Sequence, residues 1–261
     1  MRILLAIVHH WNPEGGGRHA SLRPDPKPRL HGLQDQLLSL VRLGTGQGAL
    51  NIGELRVDNA SHALRHHFKI LLITDGQHHL VEQLEEPYQA LIQQGFVEHV
   101  PTTPATPKHL GFEAQRVLAE RLGEGYDLYG YLEDDLIVQD PLFFHKVFWF
   151  QQHMGSDAVL LPHRMELFWQ PDRLLEKLYI DGAVPEADLK ALLIHTAEPM
   201  AAPLPGGNIV FAPPANPHSG CFFLTHGQLQ HWSEQPWFLD GDSSYVSPLE
   251  SAATLGICKT F

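Results

Sequence analysis

Tyr126-Asp127-Leu128-Tyr129-Gly130-Tyr131-Leu132-Glu133-Asp134-Asp135-Leu136 is the stretch on which the reading of this chain turns. Strands of a parallel sheet are covered on both faces and read as near-continuous apolar runs, which is the pattern of residues 126–132. Three acids then follow in succession. Unpaired carboxylates at that density repel one another and raise one another's pKa, so the arrangement is costly unless a cation binds. Hard divalent ions such as Mg²⁺ or Mn²⁺ take oxygen ligands and keep places for substrate phosphates. A solvated turn, helped by Asp140 and Pro141, is the plain alternative.

Upstream of this stretch, 112–122 reads as a helix with Val117, Leu118 and Leu122 on one side and Gly123 and Gly125 beyond its end. Residues 97–100 fit a short strand before a Pro-rich loop at 101–107, and 80–94 fit a helix that Pro87 interrupts or kinks. A buried strand is expected at 68–74, closed by Asp75 and Gly76 as a turn, and a helix at 30–43 from Leu33, Leu37, Leu40 and Val41. Gly15, Gly16, Gly17, Pro24, Pro26 and Pro28 make 12–29 a long surface loop, and 3–8 is the first strand.

Downstream, Pro141 opens a helix over 143–153 whose Phe144, Val147, Phe148 and Phe150 pack under the sheet, a membrane-facing aromatic patch being the other option. Residues 196–218 are Pro- and Gly-rich and read as a surface loop. Strands alternating with helices imply βαβ units and a mainly parallel central sheet flanked by helices, in an α/β chain of one domain over 1–261. In such sheets ligands bind beyond the carboxyl ends of the strands. No internal repeat is present.

The 261 residues carry a formal charge of −12, which works against a nucleic-acid partner held by phosphate contacts. The same charge repels a phosphorylated ligand unless a divalent cation or a local basic group intervenes. Apolar residues at 43% and charged residues at 18% are globular values. Two cysteines, Cys221 and Cys258, are too few for a disulfide framework and suit the cytoplasm. The apolar run 3–8 is too short for a signal-peptide core, and no stretch has the length of a membrane span, which leaves peripheral membrane contact open.

The segment 111–144 resembles the metal-binding region of GT-A-fold nucleotide-sugar-dependent glycosyltransferases, in which a helix and an apolar strand lead to a D-x-D-type motif, here Glu133-Asp134-Asp135. The resemblance implies a Rossmann-related GT-A-like domain with a nucleotide-binding half at 1–132 and a metal and acceptor half at 133–261. It implies Asp135 as direct ligand of Mn²⁺ or Mg²⁺, with Glu133 at the donor ribose or a metal-bound water and Asp134 beside the donor. His9, His10, Trp11 and Arg18, after the first strand, would lie near the nucleotide of the nucleotide-sugar donor. His218, Ser219 and Gly220 would meet an acceptor that is a glycan, a lipid or a small molecule, although Ser219 and Gly220 also read as turn residues.

Glu250 matches the acid that such enzymes carry at the start of a late helix as acceptor base, with Asp242 in reserve. Ser247 and Glu250 equally fit a capping box around Pro248. Many members supply a further His ligand near their C-terminus; none follows Glu250 here, so His218, Asp240 or water would substitute.

Three other functions compete. Gly15-Gly16-Gly17-Arg18 with Pro26-Lys27-Pro28 loosely resembles the loop of sugar-nucleotide pyrophosphorylases, hence a nucleotidyltransferase, but the spacing of the glycines, the Arg and the Lys differs. His62 and His66 have the spacing of zinc ligands on a helix, yet lack the intervening acid of a zinc hydrolase. A carbohydrate-binding protein without turnover is the third.

Overall fold

The computed structural model describes residues 1–16, 20–44, 46–60, 66–170, 172–193, 198–204 and 206–261. In chain order they form β1 (Arg2–Val8), α1 (Lys27–Gly44), β2 (Gly48–Asn51), β3 (Arg56–Asn59), β4 (His67–Thr74), α2 (Glu86–Gln93), β5 (Val97–Pro101), α3 (Leu110–Glu120) and β6 (Leu128–Glu133). The chain continues through α4 (Phe143–Met154), β7 (Met165–Gln170), β8 (Arg173–Tyr179), α5 (Glu186–Leu192), β9 (Met200–Leu204), β10 (Gly207–Phe211), β11 (Cys221–Thr225), α6 (His226–Ser233) and α7 (Pro248–Thr260).

β1 is the centre of this arrangement because every residue after Arg2 in it is buried, as a strand covered on both faces requires. It lies within a five-stranded sheet of order β11-β6-β1-β4-β5, in which only β11 runs antiparallel. From β1 the chain steps outward to β4 and β5, then crosses back to β6 on the other side. The strand order therefore reverses between β1 and β6, the place where open α/β sheets bind ligands at their carboxyl ends. Register places Val8 between Ile73 and Glu133.

The two-residue period of a strand sorts its side chains onto two faces. Ile3, Leu5 and Ile7 pack with Leu33, Leu37 and Leu40 of α1 and Phe144 and Val147 of α4. Leu4, Ala6 and Val8 pack with Ala114, Val117 and Leu118 of α3, Leu229 and Trp232 of α6, and Ala253 and Ile257 of α7. Each such aliphatic side chain contributes roughly 1.5–3 kcal/mol relative to exposure, so the three-layer order is set mainly by these contacts. The expected α/β architecture, a mainly parallel sheet flanked by helices, is what forms.

Several local expectations change. Pro87 stands in the first turn of α2, where no backbone donor is needed, and starts that helix rather than kinking a longer one. α1 begins at Lys27, three residues before the expected start, with Pro28 in its first turn. Within 196–218 the chain pairs with itself as the β9–β10 hairpin, beside Gly206 at φ 91°. Further hairpins, β2 with β3 and β7 with β8, were not anticipated; β2 and β3 have four residues each, too few to show a period. α4 buries Phe144, Val147 and Phe150, as a helix under the sheet does, and no described helix is long and apolar enough to cross a membrane.

Candidate functional site at the carboxyl edge of β1 and β6

The three successive acids at the end of β6 meet three different environments. Asp134 is fully buried, with His9 Nδ1 2.5 Å from its Oδ2 and Arg29 Nη2 against its Oδ1. Leu80 N–H donates to His9 Nε2 at 3.0 Å, so the imidazole proton sits on Nδ1 and is given to Asp134. His9 is thus a neutral donor and Arg29 supplies the countercharge. Both Asp134 and His9 were expected beside the donor nucleotide; neither exposes any surface, and together they anchor the loop after β6 to β1 and α1.

Glu133 keeps 15% of its side chain exposed, with Oε2 3.4 Å from Arg164 Nη1 and Oε1 4.0 Å from His218 Nε2. Burial, opposed by Arg164 and reinforced by Asp135, Glu250 and Asp134, pushes its carboxyl up to about 7. Gly220, at φ 65°, lets this carboxylate sit where it does: a Cβ there would lie 3.0 Å from Glu133 Oε2 and 3.1 Å from Arg164 Nη1. Asp135 lies at the rim with 58% of its side chain exposed and its Oδ2 3.3 Å from Arg29 Nη1. Desolvation and then the Asp134 charge push Asp135 upward from its ordinary value, while the water at its exposed face keeps that effect small.

Arg164, absent from the sequence reading, is gripped in a bidentate pair by Asp181, with Nε–Oδ2 at 3.0 Å and Nη2–Oδ1 at 2.6 Å. The β7–β8 hairpin brings these two residues together, and Ile180 N–H closes it on the Arg164 carbonyl at 3.4 Å. No sequence motif announces the pair. A physical signal did exist, since three acids cannot be brought together without cations nearby, and Arg29 and Arg164 are those cations.

Glu250 stands in the first turn of α7, and its Oε2 is buried without a hydrogen-bond partner among the described residues. Ser247 makes no side-chain capping bond, so the anticipated capping box is absent; the chain builds one instead at Thr225 and Gln228. The Tyr131 hydroxyl is likewise buried and unpartnered, and burial, Glu133 and Glu250 raise its pKa well above the ordinary value. His218 is buried, its Nδ1 3.2 Å from Thr254 Oγ1 and its Nε2 without a hydrogen-bond partner among the described residues. Burial, then Arg164, pushes it down to about 4, so it is neutral beside Glu133.

The remaining expected site residues are dispersed or committed elsewhere. Ser219 is buried and donates its hydroxyl to the Cys221 carbonyl at 2.8 Å, which leaves Gly220 as the neighbour of Glu133. Asp242 pairs with Lys259 at 3.1 Å, and Asp240 with the same ammonium at 3.3 Å. Hydrogen bonding from Ser244, then Lys259, holds Asp242 below its usual value, which suits an ion pair better than a base. Trp11 donates its indole N–H to the Arg23 carbonyl at 3.0 Å. Arg18 and His62 lie outside the described residues.

A cavity of about 380 Å³ adjoins the acids. Leu132, Leu136, Phe143, Met165 and Phe223 make its walls largely apolar, and Asp135, alone of the three successive acids, adds charge with Asp140 and Arg164. Among the described residues the one group of three His, Cys, Asp or Glu whose ligand atoms all lie within 4.8 Å of one another is His10, Asp75 and His78. Glu133 and Asp135 form no such group. Compared with known proteins, the chain matches no protein-family profile, and no curated protein matches it significantly in sequence.

Proposed function

We propose that the chain is a glycosyltransferase of the GT-A type, moving a sugar from a nucleotide-sugar donor to an acceptor with the help of Mn²⁺ or Mg²⁺. One observation carries the reading: Glu133 and Asp135 stand at the carboxyl ends of the sheet, where its strand order reverses, with Asp135 lining a cavity and Glu133 feeling the charge of Glu250. A divalent ion suits the groups available. Mg²⁺-like ions are commonly held by one or two carboxylates and complete their shell with water and substrate phosphate, so a third protein ligand is not required. Glu133 and Asp135 would hold it, with His218 Nε2 as an unpartnered nitrogen nearby.

The bound ion would supply charge stabilisation to the departing nucleoside diphosphate. The chain's own residues do the rest. Arg164 and Arg29 add positive potential where a chain of net charge −12 would otherwise repel phosphate. Asp134 and His9 hold the acid run in position from beneath. Glu250, with a buried oxygen that has no hydrogen-bond partner among the described residues, is the base that takes the acceptor's proton, and the cavity lined by Asp135 admits acceptor or sugar. The two arginines also favour a second version of the same chemistry, in which they alone neutralise the diphosphate and no ion is needed.

Melting curves with nucleoside diphosphates, with and without Mn²⁺, test the reading. At a hundredfold excess over Kd the gain is about 2.7 kcal/mol, a rise of several degrees for a chain of this size. We expect that rise only with Mn²⁺ present, and its loss in Asp135→Asn. A rise that persists in chelator favours the arginine version, and no rise with any nucleoside diphosphate overturns the transferase reading.

A further inference from the structure

A second cluster stands at the same edge of the sheet, one strand away from the acid run. His10 follows β1, and Asp75 follows β4 at the start of a turn that passes through Gly76 at φ 76° to His78. Backbone bonds tie the two segments together: His9 N–H donates to the Ile73 carbonyl at 2.9 Å, and Trp11 N–H to the His78 carbonyl at 2.8 Å. Three side chains from two rigidly joined segments therefore converge without any ordering of a loop.

Within the cluster the two oxygens of Asp75 have separate tasks. Oδ1 accepts the backbone N–H groups of Gln77 at 3.0 Å and His78 at 2.7 Å, which fixes the carboxylate plane. Oδ2 is left to the imidazoles, with His78 Nδ1 at 2.8 Å and His10 Nδ1 at 3.5 Å. His10 Nδ1 is buried and makes no hydrogen bond among the described residues. Two ring nitrogens thus address one carboxylate oxygen, although one N–H suffices to satisfy it. Against desolvation, the hydrogen bonds from His78 and Gln77 hold Asp75 down to about 2, while burial lowers His10; an ionised acid and a neutral imidazole are the states in which both bind a cation.

We propose that His10 Nδ1, Asp75 Oδ2 and His78 Nδ1 form a binding site for Zn²⁺ with a fourth position open to water or a ligand oxygen. Two nitrogens and one oxygen are borderline donors that suit zinc better than Mg²⁺ or Mn²⁺. Around a tetrahedral zinc with bonds near 2.0–2.1 Å, adjacent ligand atoms stand roughly 3.3 Å apart. The His10–Asp75 separation of 3.5 Å is close to that spacing, the His78–Asp75 separation of 2.8 Å is about half an ångström short of it, and all three ligand atoms lie within 4.8 Å of one another. On binding, His78 carries its ring proton on Nε2. The hydrogen bonds to Oδ1 are the outer shell that keeps Asp75 aimed at the metal. This site is independent of the transferase reading.

Untagged protein, stripped with chelator and dialysed, is titrated with Zn²⁺ under a competing indicator. The expected result is one equivalent bound with Kd at or below the micromolar range. His10→Ala and His78→Gln each weaken it by roughly a hundredfold or more, while His153→Ala, an exposed histidine elsewhere, leaves it unchanged. Asp135→Asn keeps the zinc, which separates this site from the acid run. Zinc should also raise the melting temperature of the wild type but not of His78→Gln, whose metal-free melting serves as the folding control. Absence of a stoichiometric site, wild-type affinity in both histidine variants, or loss of zinc in Asp135→Asn overturns the proposal.

Discussion

Two acidic regions flank α7 and behave in opposite ways. At the carboxyl edge of β6, Glu133 is largely buried and shifted up to about 7, and Glu250 keeps an oxygen without a hydrogen-bond partner among the described residues. In the segment before α7, Asp240 and Asp242 share the Lys259 ammonium in partly open surroundings, and Asp242 is shifted down. The side-chain chemistry is nearly the same; the environment differs. Desolvation raises a carboxylate's affinity for protons and cations, whereas pairing with a half-buried lysine satisfies it. The first region is built at a cost to stability, which is why the proposed function is placed there.

That contrast can be broken most severely from beneath. Asp134→Ala removes one partner of a buried network and strands Arg29 and the His9 donor, so a loss of about 3–5 kcal/mol is expected in urea unfolding. A loss below 1 kcal/mol would mean that Asp134 is not the anchor described above.

Titration sharpens the comparison. Glu133 moves from 4.5 in its ordinary state to about 7, so the folded chain binds the extra proton between those values. Its contribution is fully present below about 4.5 and is lost as the pH rises through about 7, amounting to on the order of 3 kcal/mol. Glu133→Gln should therefore be more stable than the wild type at pH 8 by that order, with the two unfolding curves converging in acid. His218, lowered to about 4, has the opposite sign: its contribution is lost as the pH falls from 6.5 through about 4 in both proteins. Equal stability of wild type and Glu133→Gln at pH 8 would remove the strain assigned to Glu133.

Glu250→Gln tests the same region through chemistry. Gln keeps the shape but cannot act as a general base, so turnover should fall by roughly a hundredfold with donor affinity nearly unchanged. Because Ser247 makes no side-chain cap bond, stability should change by less than about 1 kcal/mol. Normal turnover would end the role of Glu250 as base. The smallest effect belongs to the other region: Asp242→Asn leaves turnover intact and costs about 1 kcal/mol, as a half-buried ion pair near the surface does. A large loss of turnover there would transfer the base to Asp242.

Much of the fold was legible because strong apolar periodicity is a local property. β1, β4, β6, α3 and α4 were each announced by their own residues, and the alternation of strands with helices implied the parallel sheet. The hairpins at 165–179 and 200–211 were not, since each pairs only with itself in a two-stranded sheet outside the buried central one. Pro87 misled because the same residue that breaks a helix interior is favoured in a first turn.

For the site, the sequence by itself determined that three acids follow a buried strand and that an acid opens a late helix. It could not divide labour among them. Only the tertiary structure decided that Asp134 turns inward to Arg29 and His9, that Asp135 turns outward, and that Glu133 faces an arginine supplied 31 residues later by a hairpin. The physical reason is that a carboxylate's role depends on desolvation and on the charges within a few ångströms, and those neighbours come from segments far apart in the chain.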